Sequence, residues 1–62
     1  SREMSFWHAV TLAGAGELEQ ALPMFEKAFA MWPQWRELVV RLPASDLLPD
    51  DPELLKQILA VE

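Results

Sequence analysis

His8 and Glu3 are the first residues in this chain that could do chemistry, since a histidine beside a carboxylate is the elementary general base with its orienter. Catalysis would also require a nucleophile or a bound substrate inside a cleft that excludes water. A chain of 62 residues has little room for such a cleft. His8 is therefore read as a helix-surface residue, or one partly tucked into a hairpin, and the chain as not an enzyme. Asp46, Asp50, Asp51 and Glu53 concentrate negative charge. A calcium loop needs ligands at alternate positions around a central glycine, and DLLPDDPE offers neither. Their expected work is capping and dipole complementation at the start of a last helix, with docking of a basic partner as the alternative. The chain has no cysteine and one histidine, which removes disulfides, thiolate sites and a self-sufficient zinc site. No metal and no cofactor is expected.

Trp7, Trp32 and Trp35 could line a small-molecule pocket, because aromatic concavities are what ligands use. Aromatic residues at helical spacing in a small protein are more often core, and Trp32 and Phe29 are expected there. Trp7 and Trp35 have neighbours of alternating polarity; if exposed, they point to an interface, where tryptophan is enriched. Met24 and Met31 lie seven apart with Lys27 between them. They are either a second apolar seam for an adjacent helix or flexible gap-fillers.

Composition narrows the classes. Acidic residues outnumber Lys and Arg ten to five, giving a net charge of −5. Nucleic-acid binding relies on a basic stripe, and Lys27, Arg36, Arg41 and Lys56 are instead scattered among acids. No run approaches the ~20 apolar residues that cross a bilayer, and SREMSFWHAV lacks the apolar core of a cleavable signal. A cytoplasmic setting is expected, with neither nucleic acid nor membrane as partner. The chain opens on Ser, so a trimmed or excised piece of a longer protein is expected. At this size stability is marginal without disulfides or metal. The apolar fraction of 52 %, with three Trp and three Phe, points to tight packing plus association.

The elements follow from periodicity and punctuation. Phe6, Val10 and Ala13, with Ala9 and Leu12 beside them, predict a first helix over about 3–13. AGAG ends it, with Gly14 and Gly16 supplying left-handed backbone. Leu18, Ala21, Leu22, Phe25, Ala28, Phe29 and Trp32 trace a second helix over about 17–31. Pro23 falls inside it and predicts a kink without a break, because the apolar register continues across it. Pro33 is expected to end that helix and begin a third, in which Trp35, Leu38, Val39 and Leu42 form the buried stripe. Pro43 stops the third helix, and a loop with at most a buried Leu47–Leu48 knuckle follows. Asp51 suits an N-cap and Pro52 a first turn; Leu54, Leu55, Ile58 and Leu59 give the last helix its buried side.

Gly16, Ala21, Phe25, Ala28 and Pro33 have a distinctive spacing. That run resembles the second half of a tetratricopeptide repeat, a 34-residue helix-turn-helix unit. The resemblance covers about residues 2–35. It departs in the first helix, where Ser5, His8 and Ala9 stand at positions usually held by Trp, Leu and Gly; Leu12 fits the large apolar position that follows. It implies a protein-binding inner surface drawn from Glu3, Phe6, Val10 and Ala13, with Gln34 and Trp35 at its mouth. Capture of a carboxylate terminus is not implied, because the chain has no Asn and both lysines lie outside the first helix. One repeat cannot bury its own faces, so the remaining helices, a second copy or a longer chain must cover it.

The reading is an all-α single domain over 1–62: a tetratricopeptide-like hairpin over 2–33, then a capping helix and a C-terminal helix over 34–62, packed as a small bundle. The expected function is a protein-interaction or assembly module that meets a protein partner or a second copy through Phe6, Val10 and Trp35. The alternative is an accessory tail domain of a larger protein with no ligand of its own.

Overall fold

The computed structural model describes the backbone of residues 2–61 and the side chains of 3–61. Four α-helices and one short 3-10 turn make up its regular structure, with no strand among the described residues. Ser1 and Glu62, the ends of the expected domain, lie outside the described residues.

Helix α1 spans Arg2–Gly14. Its inward face is Phe6, Ala9, Val10 and Ala13, all buried, at the i, i+3, i+4, i+7 spacing of one helix side. The turn that follows is a Schellman closure: the Glu17 amide donates to the Leu12 carbonyl at 2.8 Å and the Gly16 amide to the Ala13 carbonyl at 3.3 Å. This closure requires left-handed backbone at one residue, and Gly16 supplies it at φ 85°. Gly14, expected to share that role, is instead the last helical residue of α1.

Helix α2 spans Leu18–Met31 and runs unbroken through Pro23. Pro23 is exposed and leaves the carbonyl of the exposed Glu19 without its helical donor. Water can satisfy that carbonyl, so the apolar face keeps its register at modest cost. Ala21, Phe25, Ala28 and Phe29 are buried on that face, and α1 packs chiefly against it.

The Trp32 amide closes α2 onto the Ala28 carbonyl at 2.8 Å. Pro33 and Gln34 then form a turn, and α3 spans Trp35–Arg41, beginning two residues after the proline expected to start it. Val39 and Leu42 are buried beneath it, and Trp35 and Leu38 half-buried. Pro43–Ser45 forms the 3-10 turn. A second Schellman closure ends it, with the Leu47 amide on the Leu42 carbonyl at 3.0 Å and the Asp46 amide on the Pro43 carbonyl at 3.2 Å. Here Asp46 takes the left-handed position at φ 60°. Only half of the expected knuckle is inside: Leu48 is buried and Leu47 exposed.

Helix α4 spans Pro52–Leu59. The Asp51 carboxylate accepts from the amides of Glu53 at 3.0 Å and Leu54 at 3.3 Å, the N-cap its position before Pro52 predicted. Ile58 is fully buried, while Leu54, Leu55 and Leu59 pack at the margin of the core. Helices α3 and α4 thus close over the hairpin as a small helical bundle.

Candidate functional site

The aromatic residues form one connected cluster. Phe6 is its hub: its ring meets Trp7 edge-on at 5.0 Å, Phe25 edge-on at 6.0 Å and Trp35 at 4.6 Å. Phe25 stacks on Phe29 at 5.7 Å and Trp35 stacks on Trp32 at 4.7 Å. The cluster starts in the core and comes to the surface at Trp7 and Trp32. The core is apolar, with no buried polar or charged residue among those described.

That arrangement revises the expected binding surface. Phe6 is 1 % exposed and Val10 5 % exposed, so neither lies on an open inner face. The side of α1 that the resemblance leaves free is turned against α2, with Phe25 of α2 and Trp35 of α3 packed on the Phe6 ring. Ala13 is buried with them. Trp35 is half-buried between Phe6 and Trp32, and Glu3 and Gln34 are exposed and polar.

What the bundle leaves uncovered is a different apolar surface. Among the described residues Met4, Trp7, Met31, Val40 and Leu47 are the exposed large apolar side chains, and Met31 is the one at the open end of the hairpin that lines a depression. The tight α1–α2 turn makes the hairpin antiparallel, so the first turns of α1 and the last turn of α2 share its open end. A depression of about 310 Å3 lies there, lined by Ser5, Met24, Lys27, Ala28, Met31 and Trp32. Ser5 and Ala28 give it a floor of small side chains, and the two methionines give it adaptable walls. Met24 and Met31 thus sit on a common surface seam, and Trp32, expected in the core, is half-buried at its edge.

His8 and Glu3 are both exposed on α1. Among the described residues no three His, Asp or Glu side chains gather as a metal site. Asp51 is engaged as the α4 cap. No helix is long and apolar enough to cross a membrane.

One residue that periodicity does not single out ties the bundle together. The Arg36 guanidinium donates to the carbonyls of Leu59 and Val61, each at 2.6 Å, and lies 4.7 Å over the Phe29 ring. Its partners are 23 and 25 residues away, and nothing local to WRELVV announces them. Compared with known proteins, the chain matches no family model, no curated protein and no solved structure.

Proposed function

We propose that this chain is a protein-interaction or assembly module, a non-enzymatic helical domain resembling one tetratricopeptide repeat closed by two further helices. A cytoplasmic setting belongs to the same reading. The observation that carries it is the apolar depression at the open end of the hairpin, walled by Met24, Met31 and Trp32, with Met31 half exposed. An apolar depression open to solvent is what a partner helix covers. The contact residues are therefore Met24, Met31 and Trp32. Trp35 acts from beneath by supporting Trp32.

A second reading, an accessory domain of a larger protein with no ligand, is favoured by the Arg36 tie and by a core with no buried side-chain polar atom left unpaired among the described residues. A photoreactive side chain placed at position 5 or 31, both on the lining of the depression, against controls at the exposed positions 19 and 57, separates the two. Discrete protein adducts from the seam positions alone are expected for a module. Adducts that are absent, or equal at all four positions, favour the accessory reading.

A further inference from the structure

The seam carries a single charge, Lys27, in a lining that is otherwise apolar or small. The chain around it has a net charge of −5. A second depression, of about 360 Å3, lies where the end of α3 meets the start of α4. Val40, Pro43, Ala44 and Leu55 give it an apolar wall, and Asp50 and Asp51 are its only charged residues. Val40 is half exposed there. The two depressions share no residue.

We propose that the partner of the seam is a second copy of this chain, bound head to tail. The hairpin seam of one copy covers the α3–α4 groove of the next, and Lys27 faces Asp50. The inference rests on the interaction-module reading and specifies its partner. Charge complementarity selects this occupant: each depression is apolar with one sign of charge, and the signs are opposite. A seam-to-seam pair would instead set the two Lys27 side chains in one interface, where like charges oppose association. Asp50 is the partner of choice because the Asp51 carboxylate already holds the first turn of α4. A standard interface takes ~800 Å2 from each side, about a fifth of the 4221 Å2 that this chain exposes. Each copy can therefore use its seam and its groove at once. A heterologous contact of this kind leaves a free seam and a free groove on the end copies, so it propagates as a ring or a short row. The net charge of −5 on every added copy opposes long rows.

Equilibrium sedimentation of the whole chain, from micromolar to millimolar, tests this with Lys27→Glu, Asp50→Lys and their equimolar mixture. Both residues are exposed, and helical circular dichroism checks that each variant is folded. The mean mass of the native chain is expected to climb steadily with concentration and not to level off at a dimer. Each single exchange puts like charges across the contact and is expected to weaken association about tenfold or more. In the mixture, the seam of either variant meets an opposite charge in the groove of the other, and association returns. An Asp50→Lys variant that associates as the native chain does overturns the head-to-tail contact. So does a mixture that stays dissociated. A native chain that is monomeric throughout overturns the copy-to-copy contact alone, and adducts from positions 5 and 31 still decide whether the seam binds another protein.

Discussion

Arg36 ties three helices together. Its fork meets two carbonyls at the end of α4, its plane covers the Phe29 ring of α2, and its backbone belongs to α3. The terminal carbonyls of a helix carry partial negative charge, so a guanidinium there also complements the dipole. Arg36→Ala is expected to cost about 2–3 kcal/mol, from charge-assisted hydrogen bonds and the ring contact. Arg36→Lys keeps the charge but loses the planar fork, and should recover less than half of that. Urea midpoints measure both, and faster amide exchange confined first to α4 would locate the loss. Equal midpoints for native and Arg36→Ala would show that the tie adds nothing. The same scale holds the two left-handed residues, where the chain uses Gly16 once and Asp46 once in the same closure. Aspartate tolerates that region better than most side chains do, which is why a turn without glycine still closes.

Among the elements, the α1–α2 pair sets the fold, and its close approach depends on alanine. Ala9 and Ala21 have no exposed surface, whereas Ala30 is exposed on the far side of α2. Ala9→Leu and Ala21→Leu should each lower stability by about 1–3 kcal/mol through overpacking. Ala30→Leu should leave the melting temperature near its native value. Ala28 is a softer test than its place in the stripe implies: it is buried, yet it also lines the seam. A leucine there can lean into the depression, so Ala28→Leu should fall between the other two classes. Melting temperatures that do not separate in this order would count against alanine-mediated helix packing.

The whole molecule hangs on its aromatic cluster. Phe6 touches three of the other five rings, and through them the cluster reaches α1, α2 and α3. Removing a buried Phe typically costs 3–5 kcal/mol. A core of this size seldom supplies more than about 3–5 kcal/mol in total. Phe6→Ala should therefore be largely unfolded at 25 °C, with loss of helical circular dichroism and of the near-ultraviolet signal from the stacked Trp32 and Trp35. A cooperative melt near the native temperature would mean that Phe6 is not the hub. The same result would restore Phe6 as a residue free to contact a partner.

The sequence by itself determined the elements. Helical periodicity, Gly16, the Asp51–Pro52 pair and the prolines at 33 and 43 are local signals, and local signals set where helices begin and end. The continuous stripe from Leu18 to Trp32 likewise predicted that α2 survives Pro23. Tertiary structure decided which apolar residues stay outside. Phe6 and Met31 are equally apolar in the sequence, and only the packing of Phe25 from α2 and Trp35 from α3 on Phe6 places it inside while Met31 stays at the surface. Leu47 and Leu48 are adjacent and similar, yet the left-handed turn at Asp46 faces one out and the other in. The Arg36 tie depends on residues more than twenty positions apart. Periodicity reports a helix's own faces; which face meets solvent is set by the neighbours it acquires, and those are fixed only when the chain closes on itself.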